Sequence, residues 1–211
     1  MTSRGDRKEA VVLLHGMGRS WVSMTLLAFR LKRAGYETHL FGYNPRVETL
    51  DELTARLHDV VIENVRAPSF HFVGHSLGNI IVRNGFRNGF RPGLGRIVML
   101  APPNGPAALA GALRQSKVYQ WYTGDSGQKL ADDAFFRSLP VPSVDFGIIA
   151  GDRGHRIAFR DANDGVVRVE NTKLAGMRDW VLVHHTHTFI MMAKDTYTLC
   201  SRFLNTGSFE A

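Results

Sequence analysis

The sequence predicts an α/β fold, a three-layer α/β/α sandwich around a mostly parallel sheet of about six strands. Three observations carry this. Short apolar runs of strand length alternate with longer segments of helical periodicity along most of the chain. The connections are long enough for right-handed crossovers, so neighbouring strands run parallel and both sheet faces are covered. The 211 residues, 44% of them hydrophobic, suffice for one core without a metal or disulfide staple. The single cysteine, Cys200, rules out an intrachain disulfide and a Cys-based zinc site.

The elements follow in order. Residues 10–14 (AVVLL) form a first strand, closed by Gly16 and Gly18. Residues 21–33, rich in Leu, Met, Ala and Arg, read as a helix stopped by Gly35. The alternating YETHLF at 36–41 is a strand, and Pro45 lies in the loop beyond it. Over 47–66, Leu50, Leu53, Leu57, Val60, Val61 and Ile62 repeat at helical spacing. A strand at 69–73 precedes a helix at 77–88, ended by Gly89. Strands are expected at 96–101, 144–150 and 180–184, and a last helix at 188–204. Two short helices, 106–117 and 127–139, would fill the segment between the fourth and fifth strands. Residues 1–9 read as a polar tail and 10–211 as one domain. The tail lacks the apolar run of a secretory signal, and no stretch approaches a membrane span, so a soluble cytoplasmic protein is expected.

The 26 Lys and Arg exceed the 19 Asp and Glu, a net charge of +7. That leaves nucleic acid, an anionic membrane surface or an acidic substrate open as partners. Arg83, Arg87, Arg91 and Arg96 form a basic run without interleaved acids, and Arg83 and Arg87 would share a helix face. The run has no aromatic stacking pattern and no nucleic-acid module, so it reads as a solvated face and nucleic acid is not expected.

Gly74-His75-Ser76-Leu77-Gly78 fits G-x-S-x-G between an apolar strand and a helix. In that setting the serine sits on a strained turn that exposes its hydroxyl, and the glycines let neighbouring backbone pass. Acyl transfer also needs N–H donors for a tetrahedral oxyanion. Leu77, after the nucleophile, supplies one, and Met17 in His15-Gly16-Met17-Gly18 is the natural second.

The acid and histidine should follow in that order. Asp164, in NDGVV after the fifth strand, is the first choice, with Asp152 and Asp161 as competitors. Of the histidines in VHHTHTF, His187 lies nearest the last helix, and His185 would share its face if the backbone stays extended. An HxH pair could bind a metal, but no further ligand stands at suitable spacing, and no metal is expected.

HGMG at 15–18, GHSLG at 74–78, NDGVV at 163–167 and HTF at 187–189 together resemble the α/β-hydrolase superfamily, and most closely its small lipases and esterases without a large cap domain. The resemblance implies a minimal α/β-hydrolase fold and a triad of Ser76, His187 and Asp164. It places the oxyanion hole at the N–H groups of Met17 and Leu77. It implies hydrolysis of a carboxylic ester, a lipid-like one included, through an acyl-enzyme without any cofactor. A thioesterase, amidase or acyltransferase would use the same triad, and a non-catalytic binding protein could retain the fold. The family's first two strands look absent, which is why about six are expected. The segment before the fifth strand is too short for a large lid, so an open site is expected. Met17, Trp21, Met24, Leu109, Leu113, Trp121 and Tyr122 are candidates for an acyl groove. The positive charge fits weak attraction to anionic lipid surfaces.

Overall fold

The structure, a computed structural model, describes residues 9–105, 133–154 and 161–210. Six strands form one sheet: β1 (Ala10–Leu14), β2 (Glu37–Phe41), β3 (Phe70–His75), β4 (Leu94–Leu100), β5 (Phe146–Gly151) and β6 (Asp179–Val183). Their order is β2-β1-β3-β4-β5-β6 and every adjacent pair is parallel. The chain moves outward from β1 to β2, then crosses back and proceeds outward from β3 to β6. The strand order therefore reverses between β1 and β3, and a crevice opens at their carboxyl ends, where such sheets bind ligands.

Five helices are described: α1 (Thr25–Arg33), α2 (Leu50–Glu63), α3 (Leu77–Gly85), α4 (Asp133–Ser138) and α5 (Lys194–Thr206). Alternation along the strands separates two cores. Ala10, Val12 and Leu14 pack with Phe70, Phe72, Ile97 and Met99 against α2 and α3. Val11 and Leu13 pack with Val73, Val98, Leu100 and Ile149 against α1 and α5. These are the three layers that the sequence predicts.

Element ends differ from the sequence expectations for local reasons. The helix expected at 47–66 is trimmed to α2, because Thr49 caps it. The Glu52 N–H donates to Thr49 Oγ1 at 3.3 Å, and the Thr49 N–H donates to Glu52 Oε2 at 2.7 Å. The helix expected at 21–33 begins as a 3-10 turn, Trp21–Met24. The helix expected at 188–204 is broken. A 3-10 turn at Ile190–Met192 gives way to extended backbone at Ala193 (ψ 148°) before α5 starts. Arg30 Nη1 donates to the carbonyls exposed at the break, Met192 at 2.9 Å and Ala193 at 3.1 Å. Of the two helices expected before β5, α4 lies within 127–139, and 106–117 falls outside the described residues. No helix among the described residues is long and apolar enough to cross a membrane.

The basic run is not a solvated face. Arg83 is buried, and its guanidinium donates to Pro140 O at 3.0 Å, Leu139 O at 3.1 Å and Asn104 Oδ1 at 3.0 Å. Arg87 Nη2 donates to Ser138 O at 2.9 Å. Arg91 closes the end of α2 through Val61 O, Val65 O and Ala67 O, and lies over the Phe70 ring. Arg96 Nη1 donates to Leu204 O at 2.8 Å, in the last turn of α5. Arg91 and Arg96 thus sit at helix carboxyl ends, where carbonyls lack partners and the dipole favours cations.

Arg83→Met preserves bulk but strips one buried and two part-buried acceptors of their donor. Urea unfolding should show a loss of about 3 kcal/mol, the range for leaving such groups unsatisfied.

Candidate active site

The site is built on the β1/β3 crevice. Ser76, between β3 and α3, has φ 51° and ψ −119°. Only Ala101, directly after β4, shares a positive φ among the described non-glycine residues. For serine this backbone is strained and must be held by its surroundings. The Ser76 N–H donates to Leu100 O at 3.0 Å, tying the turn to the end of β4. Asn79 clamps it from the helix: its backbone N–H reaches Ser76 O at 3.0 Å, and Nδ2 reaches Ser76 O and Leu100 O, each at 3.2 Å. The flanking glycines make this fit. A Cβ on Gly74 would collide with Asn79 Oδ1, and one on Gly78 would lie 2.7 Å from Leu14 Cβ. Ser76 thus sits at the N-terminus of α3, beside the Leu77 N–H.

The loop after β1 lies against this turn. A Cβ on Gly16 would be 3.0 Å from Ser76 Cβ and 2.7 Å from His75 Nδ1. The Gly16 carbonyl accepts from the Arg19 N–H at 3.3 Å and from His15 Nδ1 at 2.8 Å. Because C=O and N–H point oppositely across a trans peptide, this aims the Met17 N–H the other way. His15 is itself fixed. The Tyr43 N–H donates to its Nε2 at 3.4 Å, which places the ring proton on Nδ1. The Tyr43 ring stacks on it at 4.0 Å, and the Tyr43 hydroxyl donates to His15 O at 2.5 Å.

Asp164, in the loop after β5, and His187, in the loop after β6, meet in a buried contact. His187 Nδ1 donates to Asp164 Oδ2 at 2.7 Å, and the His187 N–H donates to Asp164 O at 2.8 Å. Asp164 Oδ1 accepts from the N–H groups of Val166 at 2.9 Å and Val167 at 2.7 Å. The carboxylate is therefore oriented by three donors and is 2% exposed. Donation from Nδ1 leaves His187 Nε2 as an acceptor. His75 Nε2 donates to His187 O at 3.0 Å, and the two rings lie 4.8 Å apart, which brings His187 beside the residue preceding Ser76.

The competitors are engaged elsewhere. Asp152 Oδ1 accepts from His184 Nδ1 at 2.8 Å, and His185 Nε2 lies 2.8 Å from both oxygens of Asp195. Asp161 is exposed, 3.8 Å from Arg168. Among the groove candidates, Met24 is buried in the α1/α5 core and lines no groove. Met17 is half-buried and Trp21 is exposed against Gly42. Leu109, Leu113, Trp121 and Tyr122 lie outside the described residues, as does most of the segment that would decide how open the site is. Among the described residues no group of three His, Cys, Asp or Glu could hold a metal ion. Sequence reasoning missed Asn79, His75 and Tyr43. The first two stand within or beside GHSLG, but their roles depend on β4 and the His187 loop.

The chain belongs to the alpha/beta hydrolase family, whose model matches residues 11–198. Among solved structures, it is similar to the mature form of a lipase from Bacillus licheniformis. That match has a TM-score of 0.75 at 16% identity, over 96% of this chain and 94% of that one. A metagenomic carboxyl esterase matches with a TM-score of 0.69 at 19% identity, over 88% and 66%. An esterase of Exiguobacterium antarcticum matches with 0.65 at 14%, over 95% and 94%. Such low identities speak for the fold. No curated protein matches the sequence.

Burial pushes His75 well below the ordinary histidine pKa, and the neighbouring His187 adds to this. Burial also lowers His15 and His71. The unfolded chain takes up these protons near pH 6.5 while the folded chain resists them. Their contribution to stability is therefore complete above about 6.5 and lost as pH falls below it, by up to about 1.4 kcal/mol per pH unit for each group. Thermal melts should be level from pH 7 to 8 and fall steadily toward pH 5, with a shallower fall in His75→Gln.

Proposed function

We propose that this hydrolase cleaves carboxylic esters through Ser76, His187 and Asp164. One observation carries the reading: the buried 2.7 Å Asp164–His187 contact, with His187 held against His75, the residue before a serine with φ 51°. In the proposed reaction His187 Nε2 takes the hydroxyl proton as Ser76 Oγ attacks the ester carbonyl carbon. Asp164 holds the ring in the tautomer that leaves Nε2 basic and stabilises the imidazolium that forms. The N–H groups of Met17 and Leu77 receive the oxyanion. The tetrahedral species collapses to an acyl-enzyme as the alcohol departs with the proton from His187. Water, deprotonated by the same nitrogen, then attacks the acyl carbon, and collapse returns the proton to Ser76 and releases the acid. The lipase and esterases named above lend support through their shared fold.

Purified protein should be labelled by a fluorophosphonate probe, and Ser76→Ala should not. Absence of labelling in the wild type would favour a binding protein on this fold. On 4-nitrophenyl esters of graded chain length, Ser76→Ala and Asp164→Asn should each lower kcat by several powers of ten. Matched thioesters and amides separate the other acyl-transfer chemistries, and the chain-length profile separates esterase from lipase. Gly16→Ala drives a methyl group against His75 and Ser76 and displaces the Met17 N–H. It should cost roughly a hundredfold or more in kcat, as loss of one oxyanion donor does.

A further inference from the structure

The core accounts for one face of α1 and leaves the other unexplained. Leu27, Ala28 and Leu31 are buried against the sheet. Val22, Leu26 and Phe29, at i, i+4 and i+7, fall on the opposite side, and all three are exposed, Val22 and Phe29 at 56%. The 3-10 turn Trp21–Met24 and α1 pack on the turn Ile190–Met192. Arg30 joins the two by donating to Met192 O at 2.9 Å and Ala193 O at 3.1 Å. That turn adds Met192 and, just before it, Phe189 at 59% exposure. Trp21, also exposed, continues the surface to Gly42 beyond β2. Singly exposed apolar residues are ordinary, whereas a contiguous group marks a contact surface. The surface starts at the proposed site: Trp21 follows the loop that holds Met17, and Phe189 stands two residues beyond His187. It ends at positive charge. Lys32 and Arg33 are exposed in the last turn of α1, and the Arg33 guanidinium lies 5.9 Å from the centre of the Phe29 ring. Residues 10–36 contain no Asp or Glu. Beyond Met192, Lys194 is exposed, and the Asp195 carboxylate is taken by His185 Nε2 at 2.8 Å.

We propose that Trp21, Val22, Leu26, Phe29, Phe189 and Met192 form a docking surface for an anionic lipid bilayer, which seats the site at the boundary of lipid and water. The chemistry of the surface selects that occupant. Aromatic and aliphatic side chains enter the boundary between headgroups and acyl chains, and lysine and arginine at the edge meet anionic headgroups. A second copy seated here brings its own Lys32 and Arg33 and, from residues 10–36, no carboxylate to meet them. The net charge of +7 acts in the same direction at longer range. The proposal rests on the hydrolase reading only for the ester that the bilayer supplies, and the docking itself does not involve Ser76.

The test is flotation with vesicles of phosphatidylcholine alone and of equal parts phosphatidylcholine and phosphatidylglycerol. Ser76→Ala protein, which leaves the lipid intact, should bind the anionic vesicles roughly tenfold more tightly than the neutral ones at low salt, and added salt should narrow that ratio. In the same background, Val22→Gln/Leu26→Gln/Phe29→Gln should weaken binding to the anionic vesicles by roughly a hundredfold, from the apolar area withdrawn. Lys32→Gln/Arg33→Gln should weaken it by roughly tenfold. Ile62→Gln, at an exposed apolar residue of α2, should leave it unchanged. All of these variants should melt with their parent, because the side chains changed lie outside the core. With Ser76 in place, the triple variant should hydrolyse dissolved 4-nitrophenyl butyrate as the wild type does, and should lose roughly tenfold or more on 4-nitrophenyl laurate carried in anionic vesicles. Failure of the Ser76→Ala protein to float with anionic vesicles, or binding unchanged in the triple variant, overturns the proposal. So does a dimer in light scattering that the triple variant dissolves, since the occupant is then a second copy. Vesicle binding without turnover of any ester upholds the surface and removes the hydrolase reading. Turnover of dissolved esters without vesicle binding does the reverse.

Discussion

The backbone of Ser76 costs about 1–3 kcal/mol relative to an ordinary conformation, and nothing in a serine side chain repays this. The compensation comes from outside the motif. The carbonyl of Leu100 receives the Ser76 N–H, and Asn79 holds the carbonyls of both residues. Leu100 can do so only because β3 and β4 pair with His75 opposite Leu100. A slip of one residue would turn that carbonyl away and reverse every buried side chain of the strand. The turn thus depends on register in the centre of the sheet, where both faces are covered and register is most tightly specified. Gly78 completes the dependence by letting α3 approach the end of β1.

The layers, the six strands and the crossover pattern were legible because alternation and helical periodicity are local properties of a chain. The ends of elements were less so. The break at Ala193 carries no glycine or proline, and the guanidinium that receives its exposed carbonyls, Arg30, stands 162 residues from Met192 in sequence. The basic run misled for the same reason. Four arginines at helical and loop spacing look like solvated charge, whereas their partners are carbonyls at the ends of α2, α4 and α5 that no spacing reveals. At the site, spacing narrowed the acid to Asp164, Asp152 or Asp161 and the histidine to His187 or His185. What spacing could not show is the loop geometry: the peptide of His187 is gripped by Asp164 on one side and His75 on the other, while Asp152 and His185 pair with His184 and Asp195.

Three imidazoles converge on the crevice, and their different surroundings give them different roles. His75 and His15 are fully buried and held in single tautomers by backbone carbonyls or N–H groups, so burial keeps them neutral. The His75 ring lies 4.8 Å from that of His187, so a charge on one would be felt at the other. His187 instead has the Asp164 carboxylate on Nδ1. His75 and His15 contribute shape and backbone hydrogen bonds, and of the three rings only His187 is paired with a carboxylate.

The loop after β1 extends the same logic to β2. Gly16 must lack a side chain to lie against Ser76, and a glycine peptide left to itself would sample many orientations. Two donors on the Gly16 carbonyl remove that freedom. One of them, His15, is oriented by the backbone and ring of Tyr43 just beyond β2. The other donor is the N–H of Arg19. The direction of the Met17 N–H is thus fixed by the fold, which is what the proposed oxyanion role requires.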